Sequence, residues 1–328
     1  AGMKATYFLL LAASSIAVSL SQTDVANNGG HYRFANIYWK RTDDPLSNTV
    51  EVTVESAWRR SYSSNYFLVA QSPTGDTIMK INGRDSPSVD FGDGTIQFLE
   101  NVKITAYSSA EDWFMGVQVF THVYATPTNA GQPWAVTFKG CCRLSTLEDR
   151  SDTAWTLTSA IDLLQADRSP RIISLPIIFA RSGQPVSFLL ETSLLPGLVP
   201  VTWAAPYLPP GATLTPDGNV TAVLTCPATK NWCLYTMTVA ATPSNLPSGT
   251  IAAAVMDLVL NVTVPTGSDP IFLTSNWSPL LYAGYPAAID VSAYMASPLA
   301  GVYLGFTSGP LPLGARLSTV RGKGTGAA

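Results

Sequence analysis

Residues 49–56 read TVEVTVES, and the alternation in this stretch decides the fold. Val50, Val52 and Val54 fall on one face of an extended strand, and the polar residues between them fall on the other. Because successive side chains of a strand point to opposite faces, this pattern predicts a half-buried β-strand rather than a helix.

Similar stretches occur on both sides of this one, including HYRFANIYWK, WFMGVQVFTHVYA and PWAVTFKGCCRLS. Turn-forming clusters such as TDDPLSN, FGDGT and TPTNAGQP separate them, and helical periodicity is almost absent. We therefore predict an all-β fold, in which residues 22–166 form an N-terminal sandwich of antiparallel sheets.

The chain repeats itself after a boundary at QADRSPR. FARSGQPVSF resembles YAGYPAAIDV, LPPGATLT matches LPLGARLS, and both pairs begin 103 residues apart. A repeat of this length is typical of tandem immunoglobulin-like (Ig-like) sandwiches. We expect one Ig-like domain at 170–265 and a second, incomplete copy at 268–328, closed by further residues or by a partner strand.

The N-terminus has the pattern of a secretory signal peptide over residues 1–21, in which Ala1 and Gly2 precede the first methionine. A lysine precedes the apolar run YFLLLAASSIAV, and small residues follow up to Ser21. No later stretch reaches the roughly 18 apolar residues that a membrane-spanning helix needs. We therefore expect a secreted or surface-exposed protein without a transmembrane segment in this chain.

Composition agrees with this expectation. Only 12% of the residues are charged and the net charge is −3, which argues against nucleic acid or an anionic membrane as the partner. Three N-x-S/T sequons predict N-linked glycans that would keep such a chain soluble, at Asn219, Asn261 and Asn276.

The four cysteines predict disulfides rather than a metal site, because their spacing lacks the pattern of zinc ligands. Cys226 and Cys233 flank a short loop, and we expect them to pair. Cys141 and Cys142 are adjacent, so they either bond to each other in a turn-like ring or reach outside the chain.

Catalytic motifs are missing from the sequence, and we expect neither an enzyme nor a cofactor. The chain has two histidines, His31 and His122, and no HExxH, GxSxG or CxxC motif. We expect His122 to be a cross-strand or surface residue and His31 to lie at a turn or interface. The stretch DFGDG (90–94) is better explained by a glycine-rich hairpin than by a calcium site.

Aromatic residues raise sugar binding as an alternative function. Trp58, Trp113 and Trp134 could stack on sugar rings, whereas Trp39 and Trp203 are expected in the cores. A second interpretation places Trp58 at a protein interface together with Arg59 and Arg60, because tryptophan and arginine are enriched there.

The second domain resembles the Ig-like and cadherin-like modules found in tandem in surface proteins of bacteria and protists. The similar residues are a G-x-P-V strand, V-T-W at 201–203, L-P-P-G-A-T-L and D-G-x-V at 217–220. The N-terminal module is similar to one of large algal surface proteins of the mastigoneme type, through HYRF, Trp39, AWRRS and FKGCCRLS. Calcium-binding relatives have an acidic loop before V-T-W, and here that loop contains only Glu191.

The resemblance and the composition together imply three functions, of which the first is favoured. The first is a secreted, glycosylated structural subunit of an extracellular filament or coat, assembled with itself or with other surface glycoproteins. The second is the ectodomain of a cell-surface adhesin or receptor. The third is a carbohydrate-binding module.

Overall fold

The structure is a computed structural model of the 328-residue chain. It describes residues 30–42, 44, 47–62, 67, 78–81, 87–108, 112–193, 200–244 and 253–264, and the strands at 271–272 and 293–294. The predicted signal peptide at 1–21, Asn276, and all of the predicted repeat at 268–328 except those two short strands lie outside the described residues.

The described residues form strands and no helix, which confirms the all-β prediction. In chain order the strands are β1 (Tyr32–Arg41), β2 (Thr49–Arg59), β3 (Ile78–Lys80), β4 (Ser88–Asp90), β5 (Ile96–Phe98), β6 (Asn101–Ser108), β7 (Trp113–Val123), β8 (Trp134–Gly140), β9 (Trp155–Ile161), β10 (Arg171–Ile172), β11 (Ile177–Arg181), β12 (Pro185–Leu189), β13 (Thr192–Ser193), β14 (Val201–Tyr207), β15 (Ala212–Leu214), β16 (Asn219–Val223), β17 (Trp232–Pro243), β18 (Ala254–Thr263), β19 (Ile271–Phe272) and β20 (Ala293–Tyr294).

One large sheet runs through both predicted domains. Its strand order is β14-β17-β18-β1-β2-β7-β6-β3, and β11 pairs in parallel with β18. The link between the halves is the antiparallel pairing of β1 with β18, where Asn36 lies opposite Met256 and Ile37 opposite Val255. The described residues up to Val264 belong to one compact unit.

The two halves of this sheet bury opposite faces. Ile37 and Val255 belong to the N-terminal core, which the four-stranded sheet β5-β4-β8-β9 covers. Met256, the next residue along β18, belongs to a second core, beneath the three-stranded sheet β12-β16-β15. The predicted domains 22–166 and 170–265 therefore share a sheet while each keeps a core, and their exact boundaries stay predictions.

The local patterns explain these elements. Val50, Val52 and Val54 of β2 are buried on the core face, as the alternation of TVEVTVES predicts. The stretch DFGDG forms the hairpin between β4 and β5. A β-carbon on Gly116 of β7 would lie 2.5 Å from the carbonyl oxygen of Lys103, so only glycine allows β6 to approach here.

Strands β19 and β20 pair with each other in antiparallel fashion and belong to a second compact unit.

Candidate functional site: the junction of the two sandwiches

The segment between β8 and β9 joins the two sandwiches, and we call residues 141–153 the junction segment. It begins with a disulfide between Cys141 and Cys142, one of the two arrangements expected. The backbone nitrogens of His31 and Tyr32 both donate to the carbonyl oxygen of Cys142, at 2.9 and 3.1 Å. The cystine thereby lies against the start of β1, on the N-terminal side of the junction.

The next residue, Arg143, crosses to the second sandwich. Its side chain is fully buried, and one guanidinium nitrogen lies 2.7 Å from the carboxylate of Asp257 on β18. The guanidinium also lies over the ring of Tyr32, 5.3 Å from its centre. Because two buried charges lose their hydration, such a pair is stable only when further polar groups surround it.

Two hydroxyl groups complete the surroundings of Asp257. The Tyr32 hydroxyl donates to one carboxylate oxygen at 2.8 Å, and the Thr238 hydroxyl donates to the other at 2.5 Å. Burial, followed by the charge of Asp257, raises the pKa of Tyr32 well above its usual value, so this hydroxyl keeps its proton and acts as a donor. Residues from β1, β17, β18 and the junction segment thus meet at one carboxylate.

Farther along the junction segment, Asp149 makes a second attachment. One carboxylate oxygen accepts from the backbone nitrogen of Thr236 at 2.9 Å, and the other accepts from the Tyr207 hydroxyl at 3.1 Å. Arg150 lies over the Tyr207 ring, 4.6 Å from its centre. Burial raises the pKa of Asp149, against the opposing effect of these hydrogen bonds.

Apolar side chains also pack together at this junction. Leu144 and Leu147 of the junction segment form a small core with Leu234 and Val259, which lie on the face of β17 and β18 opposite the second core. The junction segment therefore covers this face of β17 and β18, in the place that a second sheet takes in an ordinary sandwich.

Sequence reasoning missed Arg143, Asp257 and Tyr32, although one signal was available. Residues 254–262 read AVMDLVLNV, an apolar run typical of a strand buried on both faces, with a single acid inside it. Because an unpaired buried carboxylate is strongly unfavourable, such an acid demands a partner. The identity of the basic partner depends on the tertiary fold and not on neighbouring residues, so the sequence could not reveal it.

His31 differs from the turn or interface role expected for it. Its ring is 2% exposed and is stacked on Trp58 and Tyr62, with centroid distances of 5.4 and 4.3 Å. Burial, followed by the nearby charge of Arg59, lowers the pKa of His31 from 6.5 to about 3. His31 is therefore a neutral core residue.

His122 lies across from Val50 and is stacked on Phe91 at 4.2 Å. Its Nε2 is 2.8 Å from a carboxylate oxygen of Asp93 in the DFGDG hairpin. Asp93 and Asp90 also accept hydrogen bonds from backbone nitrogens of that hairpin, at 2.9 and 3.1 Å. Within the described residues, no group of three His, Cys, Asp or Glu is placed to hold a metal ion.

The tryptophan expectations need correction. The ring of Trp58 is fully buried, and its Nε1 donates to the Ser56 hydroxyl at 2.9 Å, so it cannot stack on a sugar or face a partner. Arg59 is 8% exposed, with its guanidinium over Tyr62, and Arg60 is half-buried. The cause is the alternation of β2 itself, because Trp58 falls on the same strand face as Val50, Val52 and Val54 and lies in the same core.

The remaining tryptophans named in the sequence are mostly internal. Trp134 is 8% exposed and Trp113 is half-buried, so neither presents a flat, open ring for a sugar. Trp39 and Trp203 lie in the N-terminal and second cores, where they were expected.

The second disulfide joins Cys226 and Cys233, with 5.6 Å between their α-carbons, inside the second core. Of the three sequons, Asn219 is half-buried at the start of β16, whose side chains are alternately buried and exposed, and Asn276 lies outside the described residues. Asn261 is only 7% exposed in the central strand β18. No helix of the described part is both long and apolar enough to span a bilayer.

Comparison with known proteins gives a partial match. A family model for the N-terminal region of integrin beta-like proteins A-E matches residues 33–164, less than half of the chain. Integrin beta-like protein B of Dictyostelium discoideum is 26% identical over 148 residues, 45% of this chain and 7% of that protein. Protein E of the same organism is 30% identical over 119 residues, 35% of this chain and 5% of that protein. The chain thus spans less than a tenth of the length of these curated relatives.

Solved structures of cadherin ectodomains also match. Extracellular domains 3–6 of protocadherin gamma B2 share 13% identity and a TM-score of 0.23, covering 76% of this chain and 55% of that one. The human desmocollin-1 ectodomain shares 10% identity and a TM-score of 0.22, covering 70% and 50%. Scores this low carry no argument about shared structure. The similarity that stands is that of the N-terminal sandwich to the N-terminal region of integrin beta-like proteins.

Proposed function

We propose that this chain is part of the extracellular region of a cell-surface adhesion or receptor protein, and that its two sandwiches act as one rigid unit. The similarity of residues 33–164 to integrin beta-like proteins supports the adhesive role. Two disulfides support an oxidising, extracellular environment, because cytosolic proteins rarely keep such bonds.

The observation that carries the proposal is the junction. Domains joined only by a linker usually move relative to one another. Here backbone pairing between β1 and β18 continues one sheet across both sandwiches, and the buried Arg143–Asp257 pair lies beside it. Such a unit holds a binding surface at a defined orientation and transmits a pulling force without bending at a hinge.

The test is attachment of cells to beads coated with the full chain. Dictyostelium discoideum cells, from the organism of the relatives, should attach under shear, and soluble chain should compete. Beads coated at equal density with the heat-unfolded chain are the control. Attachment no greater than on the control beads would contradict an adhesive function.

Rigidity is tested separately by placing two fluorophores on the two sandwiches, at exposed positions such as Val123 and Val223. We expect one narrow distance distribution by single-molecule energy transfer. The Arg143→Ala variant should broaden it, whereas Lys139→Ala, which removes a partly exposed ion pair with Asp90 inside the N-terminal sandwich, should not. A broad distribution in the unmodified chain would contradict the rigid unit.

A filament or coat subunit, such as a flagellar hair of the mastigoneme type, is the second candidate. It is favoured by apolar side chains on the open face of β7, where Val119 is 51% and Val123 63% exposed. In this case the partner is another copy of the chain. Sedimentation should show assembly that grows with concentration and is lost in Val119→Lys with Val123→Lys. A monomer at all concentrations would leave only the adhesive role.

A further inference from the structure

We propose that Asn219 carries an N-linked glycan that lies over the outer face of the three-stranded sheet, and that Asn261 in the same chain stays unmodified. This inference rests on the extracellular location in the proposed function. It goes further by choosing between the two identical NVT signals of the described residues and by assigning the surface that the sugar covers.

The backbone around Asn219 presents the side chain at a well-formed turn. Gly218 precedes it with φ +94°, a conformation that favours glycine, and a β-carbon there would lie 2.7 Å from Nε1 of Trp203. The backbone nitrogen of Asn219 donates to the Thr215 hydroxyl at 3.1 Å. The site is therefore held by hydrogen bonds of its own turn.

The register of β16 brings both recognition groups of the sequon to the same side. Asn219 and Thr221 are two residues apart in a strand, so their side chains point to one face, and Val220 between them is fully buried on the other. The Asn219 side-chain oxygen accepts from the Ser187 hydroxyl at 3.2 Å. Because a glycan is attached through the amide nitrogen, this hydrogen bond is compatible with the modification.

The outer face of the three-stranded sheet next to Asn219 offers both apolar and hydroxyl groups to a sugar. Leu189, directly across from Asn219 on β12, is 44% exposed, and Val223 at the far end of β16 is 50% exposed. Between them lie hydroxyl groups, including those of Thr213 and Thr221, whose oxygens are 2.7 Å apart. Sugar rings have apolar faces and hydroxyl edges, so the first sugars can cover Leu189 while they hydrogen-bond to the hydroxyl row.

Asn261 carries the same N-x-T signal in the opposite environment. It is 7% exposed and lies in β18 between Leu234 of β17 and Phe179 of β11. A glycan on its amide would require the side chains that now bury Asn261 to move, although Phe179 beside it is 60% exposed. A folded chain therefore requires an unmodified Asn261.

The modification itself is a transfer without redox change. The amide nitrogen of Asn219 attacks C1 of the first sugar of a lipid-pyrophosphate-linked oligosaccharide. One C–N bond forms, the C1–O bond to the pyrophosphate breaks, the pyrophosphate leaves with the bonding electrons, and the amide nitrogen loses a proton.

The experiment uses the full chain secreted by a eukaryotic cell line, with removal of N-glycans by an amidase in ¹⁸O water and peptide mapping. The Asn219 peptide should appear as ¹⁸O-labelled aspartate, and Asn219→Gln or Thr221→Ala should each lose one glycan mass. Thr221→Ser keeps the signal and should keep the glycan, and Asn261→Gln should leave the mass of the glycans unchanged. Unlabelled Asn219, or labelled Asn261 in folded protein, would overturn the inference.

Coverage of the apolar face has its own readout. Binding of a hydrophobic dye should rise after glycan removal, and this rise should be lost in Leu189→Ser; an unchanged signal would overturn the placement of the sugar. The adhesive function fails by a different result, the absence of cell attachment. A secreted chain with its Cys226–Cys233 bond formed and Asn219 unmodified would sink the glycan inference alone.

Discussion

The two disulfides of this chain have the same chemistry and different surroundings. Cys226 and Cys233 close a short loop at the edge of the second sandwich, and both lie in its core. Cys141 and Cys142 close no loop beyond themselves, but they begin the junction segment, which contacts the second sandwich before the chain returns to β9. The comparison teaches that a disulfide stabilises through the chain it encloses, whereas the junction is held by side chains beyond the cystine, above all that of Arg143.

The largest expected effect is at the junction and involves no cysteine. Arg143→Ala leaves the carboxylate of Asp257 buried without its partner, so the free energy of unfolding should fall by about 3–5 kcal/mol. Chemical denaturation measures this. The matched control is Arg171→Ala, which removes the partly exposed pair with Glu55 and should cost about 1 kcal/mol or less. Equal losses in the two variants would show that burial of the pair contributes nothing.

The next effect belongs to the loop-closing disulfide. Replacing Cys226 and Cys233 together by serine frees the loop between them in the unfolded chain, and the loop-entropy relation gives a loss of about 2.5 kcal/mol. The expected signature is a lower denaturation midpoint of the variant under oxidising conditions; reduction of the parent protein, which also opens Cys141–Cys142, should lower its midpoint at least as far. If the variant is less stable but reduction of the parent protein leaves its midpoint unchanged, the lost stability does not come from the disulfide.

A pH effect tests the N-terminal side of the junction. The pKa of His31 is about 3 in the folded state and about 6.5 in an unfolded chain, so below pH 6.5 only the unfolded state takes up the proton. Stability therefore rises with pH in this window. Between pH 7 and pH 5 the free energy of unfolding should fall by about 2 kcal/mol. The slope should be much smaller in His31→Gln, and an equal slope in both proteins would assign it to other groups.

The smallest effect is expected for the adjacent cysteines. Replacing Cys141 and Cys142 by serine frees almost no chain, so loop entropy accounts for about 1 kcal/mol. Peptide mapping without reduction should find this pair bonded within one chain. A cost as large as that of the Cys226–Cys233 replacement would show that the cystine itself anchors the junction. A bond from either cysteine to a second chain would show that the pair is a contact between assembled copies, and would support the filament candidate.

The sequence by itself determined the strands, because alternation as in TVEVTVES is a property of neighbouring residues and the backbone period is two. It also determined the pairing of Cys226 with Cys233, since their short separation favours a local ring, and the hairpin at DFGDG, since its glycines permit the turn.

Only the tertiary structure decided what these elements do together. The pairing of β1 with β18 joins residues far apart in the chain, and the sequence of neither strand indicates that the two pair. The burial of Asn261, and the meeting of Arg143 with Asp257, depend on how the strands are arranged around that pairing. Local sequence sets which face of a strand is apolar, but which surface covers that face is a property of the whole fold. Here the fold buries the sequon at Asn261 and leaves the one at Asn219 more accessible.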